Sequence, residues 1–248
     1  MAAILEIRNL TKRFGMVLAV DNLVLEIAEG ETVGIIGTNG SGKTTFLNLV
    51  TGYILPTVGT IRFEGVDITG LSPKQVTTRG IARSFQNPQL FTGLTAMENT
   101  LIAIAGRAGQ AWDGWQPLKR RVWREEAADI LDRLGLGDVA EQTVSSLSEG
   151  GRKLLDVALS LVLRPSLLLM DEPTSGVSVK DKFDVMDRVL RALDETRVTT
   201  VFIEHDMEII ERYAQRALAF DGGRVIADGT VDAILADPVV RESVLGAA

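Results

Sequence analysis

Gly37-Thr38-Asn39-Gly40-Ser41-Gly42-Lys43-Thr44-Thr45 is the stretch whose residue types and spacing are most specific to one chemistry. Gly37-x4-Gly42-Lys43-Thr44 fits the phosphate-binding pattern G-x-x-x-x-G-K-[ST] in full. An apolar run, Val33 to Ile36, leads in, and a helix-compatible run, Phe46 to Val50, leads out. That is the strand–loop–helix setting the pattern requires. The glycines let backbone N–H groups turn inward as a nest around phosphate oxygens. The following helix adds its unsatisfied donors and its dipole at the same point. Lys43 would reach the β- and γ-phosphates of a nucleotide, and the Thr44 hydroxyl would ligate Mg²⁺.

A second group of candidates follows from position. Leu167-Leu168-Leu169-Met170-Asp171-Glu172 is an apolar strand ending in two acids. In a parallel sheet such carboxylates face the crevice at the strands' C-terminal edge. Asp171 would hold Mg²⁺, directly or through water, and Glu172 would polarise an attacking water; read alone, the pair is also a solvated strand end. His205, the single histidine, follows the apolar strand Thr199 to Ile203. There an imidazole supplies a neutral or switchable donor to a γ-phosphate.

The elements that must position these residues alternate. Ile4 to Arg8 and Leu23 to Ile27 read as strands, and Glu31 to Ile36 as the strand delivering the loop. Thr57 to Thr60 opens a strand pair, Ile61 to Phe63 and Val66 to Ile68. Ser72-Pro73 reads as a helix start, and Ile81 to Phe85 as a short buried strand. Thr95-Ala96-Met97-Glu98 is a capping-box pattern opening a helix to about Ala105. Gly106 to Pro117 reads as a loop carrying Trp112 and Trp115, either core residues or a docking surface. Lys119 to Leu134 reads as a helix whose Lys119-Arg120-Arg121 start is a solvated face. A mostly helical insertion is expected from about Thr92 to Val162. The rhythm then resumes: strand Leu167 to Met170, helix Lys180 to Glu195, strand Thr199 to Ile203, helix Met207 to Gln215, and a pair Ala217 to Phe220 and Val225 to Ala227. Short helices start at Thr230 and Asp237-Pro238. This alternation predicts an α/β chain with a largely parallel core sheet.

Composition narrows the function classes. The 248 residues hold no cysteine, which excludes disulfides and thiolate metal sites. The net charge of −7 argues against a nucleic-acid partner bound through a general basic field. No apolar run approaches the ~20 residues needed to span a bilayer, so a membrane role is expected to come through a partner.

Taken together, Gly37 to Thr45, Gln86, Leu147-Ser148-Glu149-Gly150-Gly151, Asp171-Glu172 and His205 occur in the order found in ATP-binding-cassette ATPases, and the chain resembles that family over essentially its whole length. The resemblance implies a P-loop NTPase core (1–91 and 163–248) with a mainly parallel sheet and an N-terminal antiparallel β subdomain, and an inserted helical subdomain (92–162). It implies that Phe14 stacks on adenine, and that Gln86 touches Mg²⁺ or the attacking water on a loop coupled to a membrane subunit. Ser148 and Gly150 would contact ATP held by a second ATPase subunit. More narrowly, Ile203-Glu204-His205-Asp206-Met207, the tryptophan-bearing insertion and the closing Asp237 to Val240 before Leu245-Gly246 resemble the branched-chain amino acid importer type. The implied partners are a second ATPase subunit, transmembrane permease subunits and, indirectly, a periplasmic or extracellular solute-binding protein. The implied place is the cytoplasmic face of the membrane, and the implied cargo a hydrophobic amino acid, urea or a short amide. The alternative is a soluble ATPase switch of the same family. Two departures stand out: Glu149 and Gly151 replace the family's usual Gly and Gln, and Ser178 replaces its usual aspartate. Both raise unequal ATP sites.

Overall fold

A computed structural model describes residues 2–109, 121–244 and 246. In chain order it begins with β1 (Ala3–Phe14), β2 (Val17–Ala28), β3 (Thr32–Gly37), α1 (Lys43–Val50), β4 (Val58–Phe63) and β5 (Val66–Asp67). There follow α2 (Pro73–Thr78), β6 (Ile81–Ser84), α3 (Ala96–Arg107), α4 (Arg121–Arg133), two 3-10 turns, and α5 (Glu149–Val162). The chain closes with β7 (Leu167–Asp171), α6 (Lys182–Asp194), β8 (Thr199–Ile203), α7 (Met207–Tyr213), β9 (Arg216–Asp221), β10 (Arg224–Gly229), α8 (Val231–Ala236) and α9 (Pro238–Ser243). The sequence-expected Trp112, Trp115, Lys119, Arg120 and Leu245 lie outside the described residues.

Two compact units result: Met1–Arg83, Ser166–Glu172 and Val198–Ala248 form one, and Ser84–Pro165 with Pro173–Arg197 the other. The first holds a four-stranded antiparallel sheet, β2-β1-β4-β5, and a six-stranded sheet ordered β10-β9-β3-β8-β7-β6. In the latter β9, β3, β8 and β7 run parallel and β10 is antiparallel. Every residue of β7 and β8 is buried, as expected of parallel strands covered on both faces. Val33, Ile35, Leu169, Val201, Ile203 and Leu218 of that sheet share a core with Phe46 and Leu47 of α1. The Phe46 and Phe220 rings pack at 5.7 Å between centroids.

The differences from the sequence reading have local causes. β1 and β2 run 12 residues each, more than twice the expected segments. Their pairing slips register at several points, so the strict alternation that marks a strand is broken along its length. α3 continues through Gly106, since a glycine inside a last turn weakens a helix without ending it. The second unit also reaches past the expected 92–162 insertion, because α6 packs on α5. A Cβ on Gly150 would lie only 3.1 Å from Val185 Cγ2, so the helices approach closely there.

Candidate active site

β3 ends at Gly37, and the loop turns there by using glycines where no side chain fits. A Cβ on Gly37 would meet the Phe220 carbonyl oxygen and lie 2.6 Å from Ser41 Oγ. Gly42 has φ +105, and its Cβ would come within 2.5 Å of the Ala19 carbonyl oxygen. Gly42 is also the N-cap of α1, so no side chain caps this helix, and its first turn holds no acidic residue. The donors at that end are left for a ligand. Thr38, Asn39, Gly40 and Thr44 are exposed, and Thr45 is half-buried.

Two buried side chains inside the loop differ in how they are satisfied. Ser41 Oγ is buried and has no hydrogen-bond partner among the described residues, an arrangement that costs stability unless a bound group satisfies it. Lys43 folds back over the loop, and its Nζ donates to the Gly37 and Thr38 carbonyls at 2.6 and 2.9 Å. Burial pulls the Lys43 ammonium below its ordinary pKa, while the charges of Glu172 and Asp171 pull the other way. Lys43 is thus coupled electrostatically to both acids.

β8 lies between β3 and β7, so the loop, His205 and the two acids leave one edge of the sheet. Asp171 is buried, and its Oδ2 accepts from Arg83 Nη2 at 2.7 Å. Arg83 Nη1 also donates to Asn48 Oδ1 on α1 at 2.6 Å. Glu172 takes the left-handed conformation, φ +52, unusual for a residue with a side chain. Its N–H donates to the Ile203 carbonyl at 3.0 Å, and its Oε1 lies 3.0 Å from His205 Nε2. Strained backbone of this kind is held by its surroundings and clusters at functional positions. The geometry therefore joins phosphate loop, buried acid, second acid and imidazole.

Phe14, at the end of β1, is 49% exposed and so is not part of the core. Lys12 Nζ sits 4.9 Å from its ring centroid. Gln86 and the Leu147–Gly151 stretch lie in the second unit. Gln86 is exposed, and its carbonyl accepts from Lys153 Nζ at 2.5 Å. Ser148 is the N-cap of α5, its Oγ accepting from Gly151 N–H at 3.1 Å. Its hydroxyl proton is still available to an acceptor. Ser148, Glu149 and Gly150 line an open cavity of about 560 Å³ with Val177, Ser178 and Asp181. Glu149 turns to Arg152 at 3.3 Å, and Ser178 Oγ donates to Asp181 Oδ2 at 2.7 Å.

Arg83 and Asn48 were not expected from sequence. The signal for Arg83 was a charged residue inside the short β6, whose other residues are all buried, with no partner nameable until β7 is placed beside it.

A nucleotide-phosphate loop on a parallel sheet, facing a strand that ends in two acids, defines a P-loop nucleotide hydrolase. The ABC transporter family model matches residues 20–175, and the chain belongs to that family, as an ATP-binding cassette and ATPase. It is 36% identical over 251 residues to the high-affinity branched-chain amino acid transport ATP-binding protein BraF of Pseudomonas aeruginosa, covering 99% of this chain and 98% of that one. Among solved structures, the ADP conformation of MJ1267, an ATP-binding cassette of an ABC transporter, superposes with a TM-score of 0.87 at 32% identity and 98% coverage of both chains. A dimeric, post-hydrolysis cassette bound to ADP and Pi, MJ0796, gives 0.78 at 26% identity, covering 92% of this chain and 98% of that one.

Proposed function

We propose that this chain is the ATP-hydrolysing subunit of an importer for branched-chain or other hydrophobic amino acids, or a related small solute such as urea or a short amide. It acts from the cytoplasmic face on transmembrane permease subunits served by a solute-binding protein. Two ATPase subunits, copies or paralogues, close on ATP. The Glu172–His205 contact beside the Lys43 loop carries the reading. Support for the cargo comes from the name of the P. aeruginosa relative, and for closure from the dimeric cassette. No helix among the described residues is long and apolar enough to cross a membrane.

The residues divide the work as follows. The Gly37–Thr45 backbone and Lys43 hold the phosphates, and the orphaned Ser41 hydroxyl and the glycine cradle fit such a guest. Phe14 offers its exposed ring to adenine. Thr44, Asp171 and Gln86 supply the hard oxygen donors suited to Mg²⁺, which, when bound, neutralises charge on the β- and γ-phosphates. Glu172 orients and polarises water, and His205 fixes the Glu172 carboxylate and faces the γ-phosphate. Ser148 and Gly150 close the site of the opposite subunit. Catalysis is positioning and charge stabilisation.

Glu172→Gln tests this. It keeps shape and ATP binding, but should lose hydrolysis by about 10²-fold or more, the range for a general base, and accumulate as an ATP-bound dimer. Light scattering showing only monomer with ATP, alone and with a copurified partner ATPase, would sink the two-subunit site. Detergent extracts yielding no membrane subunits with the tagged chain would sink the importer.

A further inference from the structure

Two buried charged side chains of α5 are spent on the backbone beside Gln86. Lys153 is 3% and Asp156 6% exposed. Asp156 Oδ2 accepts from Phe85 N–H at 2.8 Å, and Lys153 Nζ donates to the Gln86 carbonyl at 2.5 Å. They stand three residues apart, on one face of the helix, and so grip consecutive residues. Asp156 also takes a backbone hydrogen bond from Gln89. At the far end of the same segment, Asn99 of α3, 2% exposed, pairs with both the N–H and the C=O of Phe91 at 2.9 and 3.1 Å. The backbone is therefore pinned at both ends, while Gln86, Asn87, Gln89 and Phe91 stay exposed.

Burying a lysine and an aspartate is costly unless each is satisfied in a defined geometry. An apolar pair would pack α5 more cheaply, so these charges are explained by what they hold. α5 itself begins at the Ser148 cap and carries Gly150 in its first turn.

We propose that Lys153 and Asp156 are positioning residues for Gln86: they fasten its peptide to the helix that presents Ser148 and Gly150, so the two motifs respond to nucleotide as one piece. This rests on the roles given above to Gln86 and Ser148. The grip itself is independent of them. It explains how a residue on an exposed loop is held to the tolerance that water positioning demands.

Amide hydrogen exchange on the full chain, with turnover measured alongside, tests it. In Asp156→Ala without nucleotide, amides 85 and 89 should exchange at least about tenfold faster while the α5 amides 157–162 are unchanged. The kcat should fall about tenfold with ATP-analogue affinity within about twofold, and Asp156→Asn, which keeps an acceptor oxygen, should restore both. In a Glu172→Gln background, protection at 85–91 and at 147–153 should rise at the same Mg·ATP concentration, and separate in the Asp156→Ala double variant. Unchanged exchange at 85 and 89 in Asp156→Ala, or two segments that titrate separately in the parent, would overturn the proposal. If Asp156→Ala fails to fold, Lys153→Met carries the same readouts at Gln86 and Asn87. The nucleotide-free exchange judges the clamp alone, whereas a parent chain without ATPase activity would count against the functional reading instead.

Discussion

Arg83 and Asp171 form an ion pair in which both side chains are 6% exposed, Nη2 to Oδ2 at 2.7 Å. The guanidinium's other arm holds Asn48, so one arginine ties the helix leaving the phosphate loop to the strand end carrying the first acid. Removing one partner of a buried pair strands the other charge and typically costs about 3–5 kcal/mol. Arg83→Met should therefore lower the unfolding free energy by about that amount in urea titrations. Arg83→Lys should recover only part of it, because an ammonium cannot span both acceptors as a planar fork does.

His205→Ala removes the 3.0 Å contact to Glu172 Oε1 from a half-exposed position. Stability should change little. Phosphate release should slow by about 10²-fold with ATP binding preserved, the scale of losing a positioned acid–base partner. Weaker ATP binding with kcat unchanged would place His205 in ground-state binding instead.

Gly42→Ala puts a methyl 2.5 Å from the Ala19 carbonyl at φ +105. Strain of about 1–3 kcal/mol is expected, visible as a lower thermal midpoint. ATP affinity should fall by at least about tenfold, the cost of one displaced charge-assisted hydrogen bond. Calorimetry at matched folded fraction separates the two effects.

Asp156 gives a pH signature. Burial pushes its carboxyl up to about 6, against the opposing pull of the Phe85 N–H and Lys153. Between its ordinary value and this raised one, the folded form holds a proton that the unfolded chain has released, so this group's contribution to stability is fully present below about pH 4 and is lost as pH rises to about 6. Comparing parent with Asp156→Asn cancels the other carboxylates. The parent should lose about 2 kcal/mol relative to the variant between pH 4.5 and 7.5, and a pH-independent difference would refute the burial argument.

Ser148 caps α5, and under the proposed function it also faces the ATP of the opposite subunit. Ser148→Ala should cost about 1 kcal/mol as a lost N-cap. Ser148→Asp restores the cap to Gly151 N–H but adds a carboxylate where the proposed function puts a phosphate, so it should keep the thermal midpoint of the parent while abolishing ATP-driven dimerisation.

What could be read from sequence was what is local. The Thr95–Glu98 capping box forms, and α2 starts at Ser72 with Pro73 in its first turn, because each closes within four residues. Asp237 caps α9 with Pro238 in its first turn for the same reason. The phosphate loop is one strand, one turn and one helix, and its glycines are required at their own positions. By contrast, Arg83 meets Asp171 across 88 residues and Phe85 meets Asp156 across 71. Nothing in either residue's neighbourhood names the other. The membership of 173–197 in the second unit was hidden likewise, since it depends on Gly150 letting α5 approach Val185 of α6. Long-range polar contacts, unlike caps, carry no spacing to count.

The sheet order has a consequence for how the chain is made. β3, which ends in the phosphate loop, pairs Thr32 with Thr200 on one side and Gly34 with Ala217 on the other. Both neighbours are synthesised more than 160 residues after it, so contact order in this sheet is high and closure is late. Until β8 and β9 emerge, β3 has two open, apolar edges, the condition under which nascent chains pair wrongly or aggregate. A chain stopped before Thr199 would carry every residue of the phosphate loop, yet lack both strands that hydrogen-bond β3 into the sheet.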